Sequence, residues 1–81
     1  MITPDQCRAA RILLKLPAPD LASAAAVGIA TVKRFESGQS VQTSTIRAIM
    51  DALTEAGITF IAADETSSIG GEGVRLTPKP E

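Results

Sequence analysis

The chain has 81 residues, enough for one domain and near the lower end of lengths that build a core without a disulfide or metal staple. Hydrophobic residues make up 44% and charged residues 21%, a globular composition, and a formal net charge of −1 excludes a strongly basic protein. There is no histidine and one cysteine, which leaves neither a Cys/His metal cluster nor an internal disulfide.

In chain order, Thr3-Pro4-Asp5-Gln6 opens the first helix with a threonine N-cap, a proline at the first helical position and a glutamine placed to complete a capping box. The spacing predicts a helix from Pro4 to Leu14 with Cys7, Ala10, Leu13 and Leu14 on an apolar stripe and Arg8, Arg11 and Lys15 in water. Cys7 reads as a small buried apolar residue rather than a reactive thiol. The stretch Met1 to Gln6 lacks a basic segment followed by an apolar run, so the expectation is a cytoplasmic protein with no targeting peptide. The longest uncharged stretch around the next two helices, Leu21 to Val32, is too short for the roughly 20 residues of a membrane span.

Leu21 to Gly38 reads as a helix-turn-helix. Leu21, Ala22 and Ala25 line one face of a short second helix, and Val27, Val32 and Phe35 line the third. In Pro17-Ala18-Pro19, Ala18 precedes a proline and is expected as an N-cap lacking a side-chain oxygen, with Pro19 the first helical residue. Ala26 falls at the corner between the two helices, where positive φ is expected and glycine is the easier residue. Gly38 closes the third helix, with Lys33 and Arg34 near its C-terminal end, where the helix dipole favours cations.

A fourth helix is predicted behind a Thr43 or Ser44 N-cap, with Ile46, Ile49, Met50 and Leu53 inward and Gly57 at its end. The period then changes. Ile58 to Ala62 and Val74 to Thr77 read as strands of a hairpin around a polar, glycine-rich loop from Asp64 to Gly73. The expected fold is mainly α: a four-helix helix-turn-helix domain over residues 1–57, a short C-terminal β-hairpin over 58–77 packed on it, and a frayed tail over 78–81. Because a lone hairpin is marginal in water, it needs the helical core or a second copy of itself.

The order TPDQCRAARILLKL, DLASAAAVGIATVKRFESG, TIRAIMDALTEAGITFI and GVRL resembles the small bacterial Cro/repressor-like (XRE) helix-turn-helix regulators over almost the whole chain. The likeness implies a DNA-reading third helix that opens with serine and a long polar residue, a glycine at the turn, and a Ser-Gln-Glu stretch opening the second helix. This chain instead has Gly28 and Ile29, Ala26, and Pro17, Ala18 and Pro19 at those places, while the core residues Leu21, Val27, Val32 and Phe35 match. A frame retained with an apolar reading surface is similar to degenerate helix-turn-helix antiactivators, which bind a transcriptional activator and silence it.

Two functional expectations follow. In the first, Pro17, Ala18, Pro19, Gly28, Ile29, Lys33 and Val41 form a partner-binding face for an activator protein. In the second, a dimeric repressor or antitoxin-like regulator holds phosphates with Lys33, Arg34, Gln39 and Arg47. The charge balance weighs against the second. Through Gly57 six cations (Arg8, Arg11, Lys15, Lys33, Arg34, Arg47) face five carboxylates (Asp5, Asp20, Glu36, Asp51, Glu55), and beyond it two cations face four carboxylates. No catalytic constellation, phosphate-cradling loop or cofactor motif is present in the sequence, and Gly70-Gly71-Glu72-Gly73 falls between strands rather than at the start of a helix. The expectation is therefore a binding protein without metal or cofactor, with a homodimer as its other candidate assembly.

Overall fold

The computed structural model describes residues 1–62 and 72–78, so the predicted 64–73 loop, except Glu72 and Gly73, and the tail beyond Pro78 lie outside the described residues. Four helices, α1 (Pro4–Leu14), α2 (Ala18–Ala25), α3 (Ile29–Glu36) and α4 (Thr43–Glu55), precede an antiparallel hairpin of β1 (Ile58–Ile61) and β2 (Gly73–Leu76). The expected fold class is what forms.

The capping box at the start of α1 closes as the sequence predicts: the Thr3 hydroxyl accepts from the Gln6 N–H at 3.2 Å and Gln6 Oε1 accepts from the Thr3 N–H at 2.9 Å. Gln6 does more than cap. Its side-chain amide, in a residue only 6% exposed, donates to the carbonyls of Ile61 (3.2 Å) and Gly73 (3.0 Å). Those two residues face each other across the hairpin, so one buried amide ties both strands to the head of α1.

Three helix ends share one solution. Lys15 (φ 55°), Ala26 (φ 57°) and Gly38 (φ 89°) are left-handed, and behind each the chain folds back through a Schellman pair of hydrogen bonds. At α1 these run from Lys15 N–H to Ile12 and from Leu16 N–H to Arg11; at α2 from Ala26 to Ser23 and from Val27 to Ala22; at α3 from Gly38 to Phe35 and from Gln39 to Arg34. In the first two, the residue after the turn is apolar, Leu16 and Val27, and packs back against the core. That contact holds Lys15 and Ala26 in a conformation that costs a Cβ-bearing residue roughly 1 kcal/mol or more.

The buried core draws on the four helices and the first strand: Cys7 and Ala10 from α1, Leu21, Ala22 and Ala25 from α2, Val32 and Phe35 from α3, Ile49 and Leu53 from α4, and Ile58 from β1. Phe60 and Val74, paired across the strands, pack against it, so the hairpin is roofed by α1 and α4 rather than standing alone.

Several local expectations are corrected. Leu13 is 42% exposed instead of inward, because Cys7, Ala10 and Leu14 already fill the buried stripe of α1. Arg11 is not in water but pairs with Glu36. Pro17, not Ala18, is the N-cap of α2, since the fixed φ of −63° suits the extended cap and Ala18 starts the helix. Gln42, not Thr43 or Ser44, caps α4, and no side chain bonds its first turn. β1 starts at Ile58 as expected but ends one residue early, at Ile61, and β2 is shifted back by one residue, to Gly73–Leu76.

Ala26→Gly is expected to stabilise the fold by about 0.5–1 kcal/mol by relieving the left-handed strain at the corner, as read by urea titration. A loss of that size would mean that the Ala26 methyl packs in a way its exposed position does not indicate.

Candidate functional site

The candidate surface is carried on α3, and α3 is set in place by a buried polar cluster beneath it. On an eight-residue helix, Val32, Phe35 and Glu36 fall at i, i+3 and i+4, so Glu36 shares the buried face with two apolar residues. Its carboxylate is met from α1. Arg11 donates through Nε to Oε2 and through Nη2 to Oε1, each at 2.7 Å, a bidentate side-on pair. The Cys7 thiol donates to Oε2 at 3.0 Å, and Arg8 donates to the backbone carbonyl of Glu36. Arg11 Nη1 also donates to the Leu16 carbonyl at 3.1 Å, so the same guanidinium holds the end of α1 and the end of α3.

Burial alone pushes the Glu36 carboxyl up, but the hydrogen bonds from Arg11 and Cys7 and the charges of Arg11 and Arg8 overcome it and hold the group below the usual glutamate range. Burial, and then the hydrogen bond to Glu36, push the Cys7 thiol far above the usual cysteine range. Cys7 is thus a fixed donor. Its burial is as expected for a small apolar residue at that spacing, and its hydrogen bond to Glu36, 29 residues away, has no local signal in the sequence.

Outward, the first turn of α3 presents Gly28, Ile29 and Ala30, all exposed, with Ile29 44% exposed. Gly28 caps α3 with no side-chain hydrogen bond. Nothing steric requires glycine there: φ is −74° and an added Cβ would lie 3.7 Å from Thr31 Oγ1, an ordinary contact. A serine would fit, so the missing polar side chain is not imposed by the backbone.

The other proposed partner-binding residues are spread around this turn. Pro17 and Pro19 are exposed at the start of α2, Lys33 is exposed on α3, and Ala18 and Val41 are half-buried and packed against the core. Of the phosphate-binding set, Lys33, Arg34 and Gln39 come together with Ala30 and Ser37 around one shallow depression. Ser37 Oγ donates to the Arg34 carbonyl at 2.9 Å and Gln39 Nε2 donates to Ser37 Oγ at 3.3 Å, which braces that rim. Arg34 also borders a second depression with Thr31, Ser40, Val41, Gln42 and Thr45. Arg47, exposed on α4, lines neither. Among the described residues no cluster of carboxylates and thiol could hold a metal ion, and no helix is long and apolar enough to cross a membrane.

Glu36 and Gln6 were legible only in part. Glu36 stands at the inward spacing set by Val32 and Phe35, a signal available in the sequence; the second role of Gln6 left no local signal. No protein-family model matches the chain, and no curated protein matches it.

Two outcomes are expected of this cluster. Because the Glu36 carboxyl is held low in the folded protein, its stabilisation is complete above the usual glutamate range, near pH 4.3, and is lost as pH falls through the lower folded value. Glu36→Gln is expected to cost about 3 kcal/mol at pH 7, by leaving Arg11 without its charge partner, and to flatten the acid limb of a urea-unfolding series from pH 7 to pH 3. Cys7 is expected to resist a maleimide in the native protein at neutral pH and to react fully in urea; native labelling at a free-thiol rate would show that the thiol is open to solvent.

Proposed function

We propose that the chain is a transcriptional regulator of the antiactivator kind, a degenerate member of the Cro/repressor-like helix-turn-helix group that binds a transcriptional activator protein and silences it. The observation that carries this reading is the exposed first turn of α3, where Gly28, Ile29 and Ala30 offer an isoleucine and no hydrogen-bonding side chain. A helix that reads bases needs donors and acceptors at its head, because base edges and phosphates are recognised by them. An exposed isoleucine flanked by small residues instead suits a groove on a protein.

In this reading Ile29 is the anchor, Gly28 allows close approach, Pro17 and Pro19 extend the contact along the start of α2, and Lys33 supplies a charge at the rim. Ala18 and Val41 lie beneath as support, since both are half-buried against the core. The activity is binding, with no chemical step.

A second reading has an observation of its own. Lys33, Arg34 and Gln39 share one depression, and a dimer with six such side chains could grip phosphate backbones. The net charge of −1 and the apolar head of α3 weigh against sequence-specific recognition.

Ile29→Glu separates them. Glutamate in the first turn suits the helix dipole, so the melting temperature is expected to stay within a few degrees of wild type. Binding to the activator captured from the native source by immobilised wild-type protein is expected to weaken by about 2 kcal/mol or more in calorimetric titration. Lys33→Glu is expected to change mainly the association rate and its salt dependence. Unchanged affinity of a folded Ile29→Glu protein would move the interface elsewhere. Saturable binding to duplex DNA from its own upstream region, well tighter than to scrambled DNA and abolished by Lys33→Ala with Arg34→Ala, would replace the antiactivator reading with a repressor.

A further inference from the structure

We propose that the α3 surface takes an acidic partner: a protein segment that carries carboxylates beside an apolar side chain and seats one of those carboxylates on Arg34. The inference rests on the partner-binding reading of α3 given above and adds the chemistry of what binds there.

The first ground is where the charges lie. The chain has nine carboxylates and a net charge of −1, yet between Leu21 and Met50 the one carboxylate is Glu36. That group is buried, and its charge is met by Arg11 from α1. The exposed charges of the stretch, Lys33, Arg34 and Arg47, are therefore all positive. Asp20 and Asp51, which flank the stretch in sequence, border neither of the two depressions beside α3. A protein with a negative balance thus shows a cationic face at the helix proposed to bind.

The second ground is that these cations have no internal work. Arg8 is held by Asp5 and the Glu36 carbonyl, and Arg11 by the Glu36 carboxylate and the Leu16 carbonyl. Among the described residues the side chains of Lys33 and Arg34 make neither an ion pair nor a hydrogen bond; what Ser37 engages is the backbone carbonyl of Arg34. Arg34 borders both depressions, one shared with Ala30 and Lys33 and the other with the hydroxyl-bearing Thr31, Ser40 and Thr45. On either side its guanidinium meets neutral groups, so its planar fork is open to a carboxylate from outside, which it can hold bidentately.

The third ground is spacing. Ile29 and Lys33, and Ala30 and Arg34, are each four residues apart, which puts an apolar anchor about 6 Å between Cβ atoms from the nearer cation on one helix face. Its complement is a segment with an acidic residue about one helical turn from an apolar one. The small Ala30 side chain lets that segment come close to the Arg34 stem. A nucleic acid is the poorer match, because phosphate binding draws its strength from many cations, and here two stand beside an isoleucine in a chain of negative net charge.

The test is chemical-shift mapping on the isotope-labelled full chain with synthetic peptides of two Leu-Glu-Glu-Leu-Leu-Glu-Glu repeats, alongside counterparts with every Glu replaced by Gln or by Lys. The Glu peptide is expected to move the amides of Ile29, Ala30, Lys33 and Arg34 and to bind at least tenfold tighter than the Gln peptide at about 100 mM salt, with that advantage shrinking as salt rises. The Lys peptide is expected not to bind. Arg34→Gln is expected to weaken the Glu peptide at least tenfold, and Arg34→Lys to recover only part of it, since the charge returns without the fork. A Glu peptide that binds wild type no tighter than its Gln counterpart overturns the proposal whatever the variants do, and so do shifts confined to another face. Random-sequence duplex DNA that displaces the Glu peptide from these amides at equal charge concentration also overturns it and makes the face a nucleic-acid surface. The captured activator keeps this inference apart from the reading it rests on: an activator that binds wild type and a folded Arg34→Gln chain equally overturns the acidic partner and leaves the antiactivator. Selective binding of the Glu peptide with no transcriptional activator among the captured proteins supports the acidic-segment site and overturns the antiactivator.

Discussion

The carboxylate of Glu36 is the group on which the rest of the molecule depends. A charged side chain on the buried face of a helix is costly unless each of its oxygens is met, and two residues of α1 meet them here, Arg11 on both and Cys7 on one, while Arg8 holds the backbone carbonyl of the same residue. These contacts are directional where the surrounding apolar core is not. Leu21, Val32 and Phe35 would tolerate some sliding of α3 against its neighbours; a bidentate guanidinium would not. The candidate surface is therefore set by an interaction on its opposite side. Rigid presentation matters for a helix of eight residues, too short to be stable by itself.

The same economy appears in Gln6, which satisfies the head of α1 and the two facing strand ends with one side chain. In a chain of this length few residues are available to build a core, and polar side chains that serve two elements at once supply specificity that apolar area alone does not. The left-handed Lys15 and Ala26 belong to the same pattern. Both are locally unfavourable, and both persist because the apolar residue that follows, Leu16 or Val27, is drawn back into the core. Tertiary contact overrides a turn preference at two of the three helix ends.

Most of the architecture could be read from the residues. The capping box of Thr3 and Gln6, the inward spacing of Ile49 and Leu53, the positive φ at Ala26 and the change of period after Gly57 each rest on local rules, and each local rule agrees with the final fold. What escaped was non-local. Leu13 carries an apolar side chain at a spacing compatible with the buried stripe, and only the packing of Cys7, Ala10 and Leu14 against the other elements decides that it is outside. Arg11 looks like any wet arginine until Glu36 is placed opposite it, 25 residues later. At the candidate site, the exposure of Ile29 follows from helical spacing once Val32 and Phe35 are inward, whereas the gathering of Lys33, Arg34 and Gln39 without Arg47 depends on how the chain leaves α3 after Gly38.

The bond between Gln6 and Gly73 spans 67 residues, nearly the full chain, and has a bearing on how the protein is made. As the polypeptide leaves the ribosome, α1 emerges early with an amide whose acceptors have yet to be synthesised, and Cys7 and Arg11 wait likewise for the end of α3. The first helix therefore cannot be secured by its own sequence during translation, and contacts between such distant positions close slowly. β2 is the last element in chain order, so its bond to α1 is the last of these contacts whose partners are both made. Until Gly73 has been made, the side of α1 that carries Gln6 lacks one of the two strand carbonyls that its amide reaches, and the hairpin lacks the partner strand that ties it to the first helix.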